Sequence, residues 1–420
     1  MTGRAAGLVV AVSAHAIEAE LPFARVGCGV RIRARDGAVA ARVAALRGAR
    51  AVVTPFGTVD GVALGDRVET APQALMFPPP TALLGRAVDC SGEPLDGGAP
   101  VRARAVAGET RVPAPRDRRP CATPFWTGVR AIDGPLTLAC GARIGLFGGP
   151  GSGKSTLLDA IVRGACADAV VVALIGERGR EAERRLAALD ARTTLVCATS
   201  DRAPAERLRA AEVAFEHAAA LRARGLDVLL VVDSLARIAS AAREVALGCG
   251  ESAGRGGYPP SVFGVLARLL ERAGPAGEGS LTLVATVLSD GPDEHDPISE
   301  AARAALDGHL VLSPDLARAG RFPALDLLKS TSRTLADAAS PEHIRAARTL
   351  RFAVAALESA RDARSVGLDP AAGDPFLARC IETEAEIERF LRQGDAASTA
   401  ESTLTELVRL ADRIDDGRLH

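Results

Sequence analysis

The chain has 420 residues, 48% hydrophobic and 25% charged, the balance of an ordinary globular protein, which excludes disorder for its bulk. Lys plus Arg number 51 against 52 Asp plus Glu, and the net charge of −1 argues against a dedicated binder of nucleic acid or anionic membrane. Eight cysteines stand alone, without Cys-x-x-Cys or a Cys/His pair at metal spacing, and read as thiols of a reducing compartment. No signal peptide opens the sequence and no run of 18 apolar residues occurs, so the expectation is a cytoplasmic chain.

Residues 1–75 read as short β segments between Gly-rich turns: Gly7–Ser13, Val30–Arg33, Ala38–Ala45 and Ala51–Pro55, followed by the turn signals of residues 56–61. Such spacing predicts a small N-terminal β-barrel or sandwich. Phe77-Pro78-Pro79-Pro80 marks a boundary, and a Pro-rich stretch runs from Cys90 to Pro124. From Arg143 apolar strands alternate with helices, at Arg143–Phe147, Val170–Ile175, Thr194–Ala198, Val228–Val232, Leu281–Leu288 and His309–Leu312. That pattern predicts an α/β domain over 76–340 whose mostly parallel sheet is covered on both faces. Beyond 340 strand signals stop, leaving a C-terminal helical domain, 341–420. There Gly394 ends one helical run, and Ser398 with Glu401 reads as the capping box of the next. The stripe Leu404, Leu407, Leu410 and Ile414 on that last helix reads as core.

The strongest local signal is Gly148-Gly149-Pro150-Gly151-Ser152-Gly153-Lys154-Ser155-Thr156, which fits G-x-x-x-x-G-K-[ST] between the strand Arg143–Phe147 and a helix over Ser155–Arg163. Glycines let backbone N–H groups curl around a phosphate, and the helix N-terminus favours its charge. Lys154 is placed to reach the β and γ phosphates, and the Ser155 hydroxyl to ligate Mg²⁺. Asp233, after the apolar run 228–232, stands where a Walker B aspartate would serve the same Mg²⁺. Taken alone, an aspartate there is more often a cap or turn residue. Glu177 follows the strand Val170–Ile175 and would face the γ-phosphate as general base or water orienter. Its surroundings, charged at nearly every position from Glu177 to Arg185, also fit a solvated helix face, and spacing alone leaves both readings open.

Together these elements resemble the hexameric export ATPases of type III secretion systems and bacterial flagella, relatives of the catalytic β subunit of rotary ATP synthases. The resemblance runs in one order from Leu84-Gly85-Arg86 and Gly92-Glu93-Pro94-Leu95-Asp96-Gly97 through Thr127–Asp133, Ile175–Glu181, Val232-Asp233-Ser234-Leu235 and Gly257–Phe263. It continues through Asp296-Pro297-Ile298, Leu306–His309 and Phe322–Asp326 to Ser330-Thr331-Ser332-Arg333. It implies an α/β P-loop (RecA-like) ATPase core between an N-terminal β-barrel and a C-terminal helical domain.

As the resemblance implies, Lys154 and Ser155 are the phosphate lysine and the Mg²⁺ hydroxyl, Glu177 the catalytic glutamate with Arg178 beside it, and Asp233 the Walker B aspartate. Arg333 matches the arginine finger given by a neighbouring subunit, and Phe322 the aromatic flanking adenine. Non-catalytic relatives lack the carboxylate at Glu177, so its presence favours catalysis. The resemblance further implies a homohexamer using ATP and Mg²⁺, peripheral at the cytoplasmic face of the inner membrane against the export gate. Its implied partners are secretion chaperone–substrate complexes and stalk and stator-like proteins, with no nucleic acid; its work is to detach chaperones and help unfold substrates. Injectisome and flagellar versions share almost all these motifs, and the expectation places the injectisome first with the flagellum as the alternative.

Departures from the family wording fall on the start of the sequence, where many relatives carry an amphipathic segment that docks the stator-like protein, on residues 287–295, on Lys329, and on the C-terminal domain. Two other readings compete. A hexameric nucleic-acid motor would need a basic, aromatic path, yet the first 75 residues offer only Phe23 and Phe56 as aromatics. A nucleotide-gated scaffold without turnover would not need Glu177, Asp233 and Arg333 together.

Overall fold

The computed structural model describes residues 6–101, 112–288, 296–367 and 370–415. Six strands open the chain: β1 (Ala6–Val12), β2 (Ile17–Glu20), β3 (Gly29–Ala34), β4 (Gly37–Arg47), β5 (Arg50–Pro55) and β6 (Arg67–Thr70). They close into an antiparallel barrel in the order β1-β2-β5-β4-β3-β6. Alternate residues, among them Ile17 with Ala19 and Val30 with Ile32, turn inward and fill the barrel. Of the six, β2 and β6 are absent from the sequence reading; each has four residues, too few for alternation to register.

A short strand, β7 (Ala87–Val88), leads to a two-stranded ribbon of β8 (Pro124–Phe125) and β9 (Leu138–Ala139) with the single-turn helix α1 (Arg130–Asp133) between them. Then come β10 (Arg143–Gly148), α2 (Lys154–Gly164), β11 (Ala169–Ile175), α3 (Gly179–Ala187), β12 (Thr193–Ala198), α4 (Pro204–Arg222), β13 (Asp227–Asp233) and α5 (Leu235–Gly248). They are followed by α6 (Pro260–Leu270), β14 (Gly274–Ala276), β15 (Gly279–Leu288), α7 (Pro297–Ala305), β16 (Gly308–Leu312), α8 (Pro314–Arg318), β17 (Leu325–Ser332) and α9 (Leu335–Ala338). The sheet order is β17-β16-β10-β15-β13-β11-β12-β7, parallel except for β17 at one edge and β14, which pairs antiparallel with β15. All six strands expected from the apolar runs are present within two residues at each end.

The central strands are buried on both faces, which is why they read as unbroken apolar runs. Val171 and Ala173 join α4–α7 in one core; Val170 and Val172 join α2 in the other. That second core also takes in α10 (Pro341–Ser365), α11 (Pro375–Leu391) and α12 (Ala400–Asp415), through Leu350, Phe390, Leu407 and Leu410 among others. Of the expected stripe on α12, Leu407, Leu410 and Ile414 are core, while Leu404 is only half-buried. The cap of α12 is not the expected one: Thr399, not Ser398, accepts at Oγ1 from Ser402 N–H at 3.2 Å, while Ser398 N–H turns away to the Gly128 carbonyl. Either hydroxyl suits an N-cap in sequence; α12 starts at Ala400, which puts Thr399, one residue later than expected, in the cap position.

Candidate active site

Parallel strands present their C-terminal ends at one edge of the sheet, and the nucleotide-class residues gather there. The glycine-rich turn leaves β10 at Gly148, and Gly151 and Gly153 sit at φ of 73° and 90°, left-handed backbone that costs a side chain dearly. Open space surrounds the Cβ position of Gly151, so at that position conformation, not crowding, requires the glycine. Lys154 begins α2, and its Nζ donates to the carbonyls of Gly148 and Gly149 at 2.6 and 2.7 Å. Ser152 Oγ closes the turn on the Gly149 carbonyl at 2.8 Å. Ser155 lies half-buried in the first turn of α2, and Thr156 beside it is exposed.

Asp233 ends β13 and is 7% exposed. Its Oδ1 accepts from Thr286 Oγ1 of β15 at 2.6 Å, within the sheet. Glu177 follows the end of β11, its side chain only 12% exposed, with Arg237 Nε of α5 at 3.6 Å from Oε1. Burial raises the Glu177 carboxyl above the ordinary glutamate value, and the nearby Asp233 charge raises it further; Arg237 and Lys154 pull the other way. Glu177 thus lies close enough to Asp233 and Lys154 to feel both charges. Arg178 is exposed at the start of α3 and directs no hydrogen bond or ion pair to any described residue.

Phe322 stands on the other side of the turn, in the loop before β17. It is 46% exposed, and its ring lies 3.8 Å from where a Cβ on Gly153 would be. A cleft of about 260 Å³ opens there, bounded by Val129, Leu157, Ala160, Phe322 and Gln393. Arg333 is elsewhere. It follows β17, whose last residue Ser332 pairs with Gly308, and Gly308 in turn pairs with Ile144 near the start of β10. Four residues separate Ile144 from Gly148, about 13 Å along the strand, so the Arg333 backbone lies at the opposite end of the sheet. There its N–H donates to the Asp307 carbonyl at 3.0 Å, and its side chain is exposed. One chain therefore gathers the Gly148–Thr156 turn, Glu177, Asp233 and Phe322 at one end of the sheet, while Arg178 turns outward beside Glu177 and Arg333 lies at the other end.

Two family descriptions match this chain: the ATP synthase alpha/beta family nucleotide-binding domain over residues 128–332, and the T3SS EscN ATPase C-terminal domain over 339–409. The flagellum-specific ATP synthase of Pseudomonas aeruginosa is 41% identical over 90% of this chain and 86% of its own. The type 3 secretion system ATPase of Sinorhizobium fredii is 41% identical over 94% and 89%. The chain belongs to the export ATPases of type 3 secretion systems and flagella. The assembled ATPase EscN of enteropathogenic E. coli superposes with a TM-score of 0.89 at 38% identity, covering 96% of this chain and 100% of EscN; EscN is also known in complex with its central stalk EscO.

Three residues of this export ATPase site went unnoticed in the sequence. Thr286 had a faint signal, a hydroxyl in the apolar run Leu281–Leu288. Arg237 had none of its own: it sits in the first turn of α5, which begins two residues after Asp233, and only the fold turns it towards Glu177. Gln393 had none, because two of its three side-chain partners, Arg130 and Gly128, are remote in sequence. No described helix is long and apolar enough to cross a membrane, and no group of three or more His, Cys, Asp or Glu among the described residues could hold a metal on its own.

Proposed function

We propose that this ATPase is the homohexameric motor of a type III secretion apparatus of the injectisome kind, turning over Mg·ATP at sites shared between neighbouring subunits. The observation that carries the reading is the division of the site: Lys154, Glu177 and Asp233 sit together at one end of the sheet, and Arg333 sits at the other, facing outward. A ring of like-oriented copies sets the second end of one subunit against the first end of the next, which is how an arginine finger acts in trans. In that arrangement Gly148–Lys154 cradle the phosphates, Glu177 orients the attacking water, and Lys154 and the neighbour's Arg333 stabilise the charge that develops on the transferred group. Phe322 flanks the base over the adjoining cleft.

Mg²⁺ suits the oxygen donors present, the Ser155 hydroxyl and the Asp233 carboxylate, which supply too few ligands for a resident metal and leave room for phosphate oxygens and water. When bound it neutralises phosphate charge. Thr286 holds Asp233 through Oδ1, leaving Oδ2 for a metal-bound water.

We take the match of residues 339–409 to the EscN C-terminal domain in favour of the injectisome over the flagellum; a stalk in the ring rests on the EscN–EscO complex, and chaperone–substrate complexes as cargo and a stator-like protein at the periphery rest on the family resemblance alone. Docking of the ring on the cytoplasmic face of the inner membrane, at the export gate, follows from the same reading. The test is ATPase rate per protomer against protein concentration. Specific activity that rises as rings assemble supports the shared site; activity independent of concentration, down to dilutions at which only monomers are present, overturns it. Export of injectisome substrates in a strain lacking its own export ATPase, set beside motility in a flagellar one, decides between the two systems.

A further inference from the structure

Gln393 follows α11 and uses its whole amide. Oε1 accepts from Arg130 N–H at 2.8 Å, and Nε2 donates to the carbonyls of Gly128 and Ala396 at 2.7 and 2.8 Å. Only this orientation of the amide satisfies all three partners, since its oxygen meets the one donor and its nitrogen the two acceptors. The backbone N–H of the same residue donates to the carbonyl of Phe322 at 2.9 Å. One residue thereby ties the aromatic beside the P-loop to the Gly128–Arg130 segment.

That segment is itself anchored to the P-loop helix and to α11. A Cβ on Gly128 would stand 2.9 Å from the Cα of Gly164, the last residue of α2. Arg130 reaches back with its guanidinium to the carbonyls of Arg389, Phe390 and Arg392 at the end of α11, at 3.2, 3.2 and 2.6 Å. These are carbonyls without partners inside the helix, so Arg130 caps α11 as Gln393 braces the turn that follows. The cleft beside Phe322 thus has one wall on α2 and another set by Gln393.

We infer that Gln393 is a positioning residue for the nucleotide base: it holds Phe322 at a fixed distance from Gly153 and thereby sets ATP affinity without touching the phosphates. The inference rests on Phe322 flanking the base. Stacking on an aromatic ring is lost steeply when the ring is free to swing, whereas Lys154 Nζ is held at the Gly148 and Gly149 carbonyls, apart from the Phe322 ring beside Gly153.

The experiment is steady-state ATPase kinetics of the full-length protein as wild type, Gln393→Ala, Gln393→Glu, Phe322→Ala and the double variant Gln393→Ala/Phe322→Ala, with inorganic tripolyphosphate as a competitive inhibitor that has no base. Gln393→Ala is expected to raise KM for ATP about tenfold with kcat within about twofold, as loss of one base–aromatic stack does. The tripolyphosphate inhibition constant should stay unchanged, and the double variant should be no worse than Phe322→Ala alone. Gln393→Glu keeps the size and the acceptor but loses both donors, so it too should raise KM; if the alanine variant does not fold, this variant carries the same test. A KM equal to wild type in Gln393→Ala and Gln393→Glu, beside a raised KM in Phe322→Ala, overturns the positioning role and leaves the base site standing. So does an additive double variant, a weakened tripolyphosphate constant or a fall in kcat alone. An unchanged KM in Phe322→Ala removes the base-flanking reading itself.

Discussion

The two ends of the central sheet solve opposite problems. At the C-terminal ends of β10, β11 and β13, charged groups are packed close and each is answered within the chain: Lys154 by the Gly148 and Gly149 carbonyls, Asp233 by Thr286, Glu177 by Arg237. Burial there makes each polar contact expensive to lose and raises the Glu177 carboxyl. At the other end, Arg333 is fixed among the described residues through its backbone, on the carbonyl of an Asp307 that Arg143 grips through both carboxylate oxygens. The guanidinium itself lies in solvent. An exposed, unburdened arginine contributes little to its own fold, so the first end is built to hold a ligand and the second is free to serve a neighbour.

The largest break falls on the first end. Lys154→Ala should lower kcat/KM by about 10⁴-fold, because the charge on the β and γ phosphates loses its principal protein partner. A loss under tenfold in a steady-state assay would mean that the Gly148–Thr156 turn does not hold the phosphates. On the second end, Arg333→Ala should cost about 10³-fold in kcat, the scale of an arginine finger, with no loss of thermal stability. Glu177→Gln should cost about 10²–10³-fold while ATP binding persists. The comparison is sharpest when the two inactive proteins are mixed. A mixed ring contains interfaces with an intact Glu177 from one subunit and an intact Arg333 from the next, so activity should return that neither protein has alone. Mixed rings that stay as dead as their parents would place both residues in one subunit's site, against the register of β17 and β10.

The first end was legible in the sequence because its signals are local. A glycine-rich turn between an apolar strand and a helix needs no tertiary knowledge, nor does an aspartate closing an apolar run. Glu177 was half legible: its place after a strand suggested the site, its charged neighbours suggested solvent, and only the fold shows the side chain turned inward while Arg178 turns out. Arg333 could be named only through the family resemblance, since its meaning depends on a second copy. Thr286 and Gln393 act through partners 53 and 263–265 residues away, beyond any periodicity. β17 was hidden differently: its alternation of buried and open positions breaks at Leu328-Lys329, where exposed Lys329 pairs with the mostly buried Asp326 at 3.3 Å.

A smaller break tests how tightly the first end is tied. Thr286→Val keeps the shape of the side chain and removes the hydroxyl that donates to Asp233, leaving a buried carboxylate oxygen without its partner. Such a loss costs about 1–3 kcal/mol of stability, and kcat should fall about tenfold as the carboxylate loses its fixed orientation. Denaturant unfolding and steady-state kinetics read the two effects separately. A variant unchanged in both would show that Asp233 finds its orientation from the sheet alone.

The smallest effect is a matter of pH. In its proposed role Glu177 orients water as the carboxylate, and its carboxyl is raised by burial first and by Asp233 second, so activity should fade on acidification while pH is still above the ordinary glutamate value. Arg237 opposes that rise from 3.6 Å, although it is 45% exposed and therefore screened. Its positive charge favours the ionised carboxylate, so removing it must raise the Glu177 value further. The acid limb of the kcat/KM profile in Arg237→Ala should move to higher pH, by less than about one unit for so exposed a partner. Added salt should move the wild-type limb the same way and the variant's less. If the limb moves to lower pH or stays put, Arg237 is not the charge that keeps Glu177 ionised, and the first end of the sheet owes its balance to Lys154 instead.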